Sequence, residues 1–512
     1  MKKRNLPYLI IATFCLIISG CEEFLDRTPL SDMSPTTFFA NKGDMKTWTA
    51  GIYDSFQKTL SLGHLEWGDI RSDNYHTTGY DDGKAYMNAI ESSQSQYSWS
   101  DLYKTINRCN VGIERFPKIP GIMESDWSDY VGQAYGLRAL MYFYAIRVWG
   151  GVPLVTQSWD GDVSGSYVSR SSVDEVKAQI TSDIDNAISL LGTNITSDRK
   201  FYFNLAAAWA LKVDVHMWFH EYQQALDAYN KYFEGNADFA LVTNDKEWKK
   251  IFLSPADSKE TIFNMSWNFE QDGSHPWAQR VGASNTNNPY KISESIFNEF
   301  ITRLYSKKGR DGRFWNVLDT VKMWNGGNKV PISTSHWNIS ANAGIEKCVK
   351  YSDVDPTATT SYWLVLSSSN ADLDICIYRY ADILLLKAEA LNQLGQPAEA
   401  LKIVNDIRKR IGFTADATME SADLNDKKAV ESIILNERRL EFIAEGKRWF
   451  DLIRTSRVVE VMDPILRARQ EAVGVSITGF GDEGRILCPI FYREFESNPA
   501  LQGNQNPPYT EG

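Results

Sequence analysis

Apolar residues recur at three- and four-residue steps through much of this chain, the period of an amphipathic helix. Beyond Ser172, the residues Val176, Ile180, Ile184, Ile188 and Leu191 fall on one face. Ser172-Val173-Asp174-Glu175 reads as a capping box, in which a hydroxyl and a carboxylate three residues later satisfy amide donors at a helix start. Gly192 supplies a stop. Two further segments share one geometry: Trp209, Val213, His216, His220, Ala225 and Tyr229 match Leu384, Ala388, Leu391, Gly395, Ala400 and Val404 at a constant offset of 175. The spacing is tetratricopeptide-like, with Ala225 and Ala400 where paired helices must approach closely. Segments 134–144 and 433–452 read as degenerate copies. The pattern therefore predicts a mainly α fold, a scaffold of helix pairs near 134–230 and 378–455. Roughly 61–100 and 265–375 lose the periodicity and gain Gly, Ser, Asn, Asp and aromatic residues, which predicts long irregular insertions. Binding groups usually sit on such loops, held by a rigid scaffold.

The first 20 residues belong to none of this. Lys2, Lys3 and Arg4 precede an apolar stretch from Leu9 to Ile18, too short to span a bilayer as a helix. It has the length of a secretory signal, and it ends Ile18-Ser19-Gly20-Cys21. Two small residues before a cysteine resemble the bacterial lipobox, which predicts cleavage after residue 20 and lipidation of Cys21. Two acyl chains anchor stably where one does not. The expected mature chain is 21–512, read as a single domain. The full sequence is 43% hydrophobic and 23% charged, which suits a large core. Net charge is −11, and −14 without Lys2, Lys3 and Arg4, which argues against a nucleic-acid partner. Cys109, Cys348, Cys376 and Cys488 never form a CxxC pair, so a zinc or redox site is not expected. Spacing leaves both a disulfide and four buried thiols open.

Several motifs carry potential chemistry. On segment 437–452, Glu437, Glu441 and Glu445 recur at i,i+4 steps among Arg438, Arg439 and Arg448. A glycoside hydrolase needs two carboxyls facing each other across a cleft, which one helix face does not offer. A structural charge network is the expected reading. Gly479-Phe480-Gly481-Asp482-Glu483-Gly484 matches G-x-G-x-x-G, but its acids would repel a pyrophosphate and the following residues read as extended chain. His216 and His220 have metal-pair spacing without an evident third ligand. No cofactor or metal site is predicted.

Aromatic residues in the polar insertions are the binding candidates. A large ring amid Asn, Gly and Asp has little packing reason to be there, whereas a sugar ring presents an apolar face and a polar edge to such pairs. The candidates are Trp67, Tyr75, Tyr80, Trp277, Tyr290, Trp324 and Trp337, with Asp73, Asn74, Asp81, Asp82, Asn285, Asn287 and Asn325 as polar partners.

A set of motifs in order along the chain carries a family likeness. They include Cys21-Glu22-Glu23-Phe24-Leu25-Asp26, Thr36-Thr37-Phe38-Phe39, Ala50-Gly51-Ile52-Tyr53, Leu137-Arg138-Ala139 and Gly150-Gly151-Val152-Pro153-Leu154. The C-terminal half adds Tyr378-Arg379-Tyr380-Ala381-Asp382, Glu437-Arg438-Arg439-Leu440-Glu441-Phe442, Gly446-Lys447-Arg448-Trp449-Phe450-Asp451 and Gln505-Asn506-Pro507. Nearly end to end, the chain resembles the SusD/RagB family of Bacteroidetes surface lipoproteins. That resemblance implies a cell-surface, outer-membrane location, with Glu22 and Glu23 similar to acidic surface-export signals. It also implies a SusC-type TonB-dependent transporter as partner and a nutrient ligand, usually a glycan and in one branch an oligopeptide. The expectation is a non-enzymatic protein that captures oligosaccharide and delivers it to that transporter. Oligopeptide capture, a surface glycoside hydrolase and a protein-only scaffold are the alternatives.

Overall fold

A computed structural model describes residues 38–511 apart from 78–83, 160–166, 194–195, 197, 274, 276–279, 282–289, 319–323, 326–327, 330–347, 353–371, 373 and 415–422. The fold is mainly helical. Helices α1 (Lys42–Gly68) and α2 (Ser100–Arg115) form one packed pair, and α3 (Glu124–Trp149) and α4 (Val173–Leu190) form a second. A third joins α5 (Leu205–Trp218) to α6 (Tyr222–Tyr232). After α7 (Asp245–Leu253), strand β4 (Thr261–Met265) pairs antiparallel with β8 (Ile375–Arg379), which runs straight into the fourth pair, α9 (Tyr380–Gln393) and α10 (Pro397–Arg410). That pair docks on α5 and α6, so the stack is continuous in space although its last member is distant in sequence. Helices α11 (Lys427–Glu441), α12 (Arg448–Arg454) and α13 (Val458–Val473) close it.

Local sequence explains the elements. Ser172 caps α4 as its pattern predicts, its hydroxyl accepting from the Glu175 amide at 3.2 Å while the Glu175 carboxylate accepts from the Ser172 amide at 2.8 Å. The offset of 175 places His220 opposite Gly395, and both adopt left-handed backbone, φ 58° and 80°, at the turn between paired helices. Glycine takes that conformation at little expense. His220 does so while its ring Nε2 meets the Arg454 carbonyl at 2.7 Å. The four cysteines Cys109, Cys348, Cys376 and Cys488 are buried free thiols, and burial raises the Cys109 pKa to about 12.

Two expectations need correction. Residues 61–68 are the end of α1, because Leu60, Leu65 and Trp67 are buried in the core whatever the glycines around them prefer. Helix α8 (Glu294–Leu304) lies within the predicted insertion 265–375, where Phe297, Phe300 and Arg303 join the core. Gly68 closes α1 against backbone: an added Cβ would stand 1.9 Å from the Gly446 carbonyl oxygen. Gly68→Ala is expected to destabilise the protein by about 1–3 kcal/mol through overpacking, seen as a lower midpoint in thermal unfolding.

Candidate functional site

The structure describes five of the predicted ligand-contacting residues, and it buries all five. Asp73 takes Arg448 at 2.8 Å and Arg439 at 3.0 Å. Burial alone would raise its pKa, but the two guanidiniums hold it well below the usual carboxylate range. Asn74 and Tyr75 donate to Asp69 at 2.8 and 2.9 Å. Tyr290 lies in β5 (Tyr290–Ile292), which pairs with β1 (Tyr75–Thr77), and its ring meets that of Tyr75 at 6.3 Å. Trp67 packs on Trp149 at 5.1 Å and donates to the Gln96 carbonyl at 3.1 Å. These side chains fasten the end of α1 to α11 and α12, so they carry structure and present no face to a ligand in solution.

Tyr80, Trp277 and Trp337 lie outside the described residues, as do Asp81, Asp82, Asn285, Asn287 and Cys21. Trp324 and Asn325 form the short strand β6, paired with β7 (Asn328–Lys329), and their side chains are not described. The flanking backbone is informative. Thr77 pairs with Tyr290, so segments 78–83 and 282–289 leave one end of a ribbon side by side. Leu318 bridges Cys348, so 319–347 leaves and returns at adjacent positions.

The glutamates at the end of α11 and in the turn after it have a structural role; the helix stops at Glu441, so the expected i,i+4 step from Glu441 to Glu445 on one helix face is not formed. Glu437 is fully buried and meets Arg303 and Arg408 at 2.7 Å and Arg313 at 2.8 Å. Glu441 meets Arg379 at 2.6 Å and Arg313 at 2.7 Å, and Arg410 closely. Glu445 meets Arg379 at 2.8 Å and Lys350. No two of these acids face each other across open space. His216 likewise pairs with Glu221 at 2.7 Å, and among the described residues no cluster of His, Cys, Asp and Glu is arranged to hold a metal.

An open cleft lies elsewhere, between α1, the first turns of α3, the turn at Asp198–Phe201 and the chain leaving β4. Its volume is about 730 Å³, within the usual range for small-ligand sites. Tyr53 and Gln57 project from α1 four residues apart, as do Asp129 and Gln133 from α3, so each pair shares a helix face. The Tyr53 hydroxyl donates to Gln133 Oε1 at 2.8 Å and accepts the Phe203 amide at 2.7 Å. Burial pushes that hydroxyl far above its ordinary pKa, so it stays protonated and keeps this donor role. Gln133 Nε2 donates to Asp129 at 2.8 Å, and Arg199 grips both Asp129 oxygens at 2.8 Å each. Gln57 Nε2 donates to the Ser266 carbonyl at 2.8 Å, tying α1 to the far wall. The Tyr202 ring stands edge-to-face on Tyr53 at 5.2 Å and is 45% exposed at the rim. Thr49 Oγ1 is buried on the same wall, without a hydrogen-bond partner among the described residues. The result is a cleft whose walls are tied together by amide and carboxylate hydrogen bonds beside the Tyr53 and Tyr202 rings.

The sequence reading missed this cleft. The i,i+4 pairs Tyr53/Gln57 and Asp129/Gln133 were the available signal, but four segments far apart in the chain must meet before they form a site.

A stack of helix pairs carrying an open, ring-lined cleft defines a helical-repeat protein with a candidate ligand site. The chain belongs to the SusD family. A SusD family model matches residues 259–509, and a second, described as starch-binding associating with outer membrane, matches 23–215. SusD-like protein P38 of Formosa agariphila is 33% identical, with 99% of each chain covered. Among solved structures, NanU of B. fragilis superposes with TM-score 0.69 at 21% identity over 94% of this chain and 100% of its own. A laminarin-binding SusD-like protein gives TM-score 0.69 at 21% identity over 92% and 100%. Among the described residues, no helix is long and apolar enough to cross a membrane.

Proposed function

We propose that this chain is a cell-surface lipoprotein of the outer membrane, anchored through acyl groups on Cys21. It captures oligosaccharide and passes it, chemically unchanged, to a SusC-type TonB-dependent transporter. The observation that carries the reading is the cleft, where the rings of Tyr53 and Tyr202 stand beside Gln57 in a volume suited to a few sugar units. Membership of the SusD family and the laminarin-binding neighbour support a carbohydrate ligand. The segments bearing Tyr80, Trp277, Trp324 and Trp337 are proposed as further contacts.

The test is calorimetric titration of the mature chain with a panel of polysaccharides and their oligosaccharides. Affinities between about μM and mM are expected, since a delivery protein must release its cargo. Tyr202→Ala is expected to weaken binding about tenfold, or ~1.4 kcal/mol, while lowering stability by only about 1 kcal/mol, because the ring is half-exposed at the rim and its packing is limited to the edge-to-face contact with Tyr53. Release of shortened products from polysaccharide would sink the reading.

A further inference from the structure

Aromatic rings gather where the chain enters the helical stack. Phe38 meets Phe39 at 5.1 Å and Trp48 at 5.8 Å, and Phe39 reaches Phe116 at 5.8 Å. Met45, Phe116, Ile119 and Val131 form a small buried core here, apart from the main one. Phe39, Trp48, Ile122, Trp127 and Tyr130 pack on it while remaining partly exposed. Next to Ile122, in the loop between α2 and α3, Met123 is 69% exposed. Single exposed apolar side chains are ordinary, but a methionine beside a group of half-buried rings makes an apolar end to the molecule. Trp and Tyr held half in an apolar layer and half in water are the residues favoured at membrane interfaces.

The loop is fixed beside the first turn of α1. Asp126 accepts from Lys42 at 2.7 Å and from the Met123 amide at 3.1 Å. From there the 27 residues of α1 span about 40 Å. Just past its far end, Arg469 of α13 donates to the Ser72 and Tyr75 carbonyls at 3.2 and 3.0 Å. A second exposed apolar tip, Val473, Val475 and Ile477, follows at the end of α13. The two tips therefore stand at opposite ends of α1, and the anchor decides between them. Phe38 comes 17 positions after Cys21, a reach of at most ~60 Å. Bilayer contact through the Met123 loop asks little of that reach. Contact through the far tip would take the tether about 40 Å back along α1.

Charge at the near end cancels. Lys42 pairs with Asp126 at 2.7 Å, Lys118 with Glu114 at 3.5 Å and Arg199 with Asp129 at 2.8 Å. Lys46 and Arg115 are matched in number by Asp44 and Glu124. Attachment at this end would rest on apolar contact, with no net charge left to attract an anionic surface. Resting on the lipoprotein reading above, we propose that the Ile122–Met123 loop and the rings grouped with it form a membrane-docking face. It seats the anchored protein on the surface of its own bilayer. Tyr130 belongs both to this face and to the cleft, and the cleft residues Lys46, Thr49 and Ala50 flank Trp48 on α1. Cargo in the cleft is thereby held beside the lipid surface.

The experiment places a polarity-sensitive dye on the acylated mature chain through Met123→Cys, and in a separate sample through Val475→Cys. Cys109, Cys348, Cys376 and Cys488 are buried, so the dye goes to the introduced thiol. Each sample is anchored in phosphatidylcholine vesicles, with and without phosphatidylglycerol. The dye at position 123 is expected to emit at shorter wavelength than in the non-acylated Cys21→Ser chain, and iodide to quench it about threefold less than the dye at position 475. Headgroup charge and salt are expected to change neither result. Equal quenching at both positions, with acylation of Cys21 confirmed by mass, would overturn the inference and leave the anchor and glycan capture standing. Shielding seen only with an added transporter, or growing with protein concentration in the absence of vesicles, would give the face to a protein partner or a second copy and overturn it as well. A mature chain without acyl groups on Cys21 would overturn the anchor and the inference together.

Discussion

Glu441→Ala is expected to destabilise the protein by about 3–5 kcal/mol, measured by urea unfolding followed by circular dichroism. The side chain is completely buried on α11. One oxygen accepts from Arg379 at 2.6 Å and from the Trp248 indole at 2.9 Å, the other from Arg313 at 2.7 Å, and Arg410 also reaches the group. Deleting the carboxylate leaves three guanidiniums facing one another in the core with a cation missing its partner, which is far worse than never having built the cluster. Burial by itself would favour protonation, but Arg410, Arg379 and Arg313 hold the Glu441 pKa well below the usual carboxylate range. A carboxylate with a lowered folded pKa stabilises the protein above its unfolded pKa, and that stability drains away as pH falls through the folded value. The wild-type chain is thus expected to lose its extra stability below about pH 4, and the alanine variant to show a flatter acid limb. A loss under about 1 kcal/mol in Glu441→Ala would show that the cluster contributes little.

Trp67→Ala is expected to lower stability by a similar amount, about 3–5 kcal/mol, while the folded fraction binds sugar as the wild type does. Trp67 is buried against Trp149 and Tyr144, and a Cβ built on Gly63 would collide with its ring at 2.6 Å. So tightly enclosed a ring leaves a cavity when removed. Calorimetric binding and thermal unfolding on the same sample separate the two roles. Unchanged stability with lost binding would make Trp67 a ligand platform after all.

Trp67 also shows where reading a sequence stops. The scaffold was legible because its signals are local. The Ser172–Glu175 cap acts within one turn, and the repeat offset aligns His220 with Gly395, positions that share a backbone conformation. The structural role of Glu437 and Glu441 was legible too, since acids spaced along one helix among arginines cannot oppose each other across a cleft, whereas Glu445 joins the same network from the turn after that helix. Asp73-Asn74-Tyr75 misled because polar residues around a ring describe an exposed loop and a buried ion network equally well. The partners that decide, Arg439 and Arg448, lie on the far side of the sequence. The cleft was illegible for the same reason: Tyr53, Asp129, Arg199 and Gln271 come from four separate segments.

The bridge between Leu318 and Cys348 holds together two points distant in the chain. With those ends fixed by the frame, each doubling of the length between them adds roughly 0.6 kcal/mol of closure entropy. Trp324 and Trp337, proposed above as ligand contacts, lie between those points in sequence, so lengthening the stretch that bears them carries a closure penalty no larger than that of a methyl group lost from the helical stack.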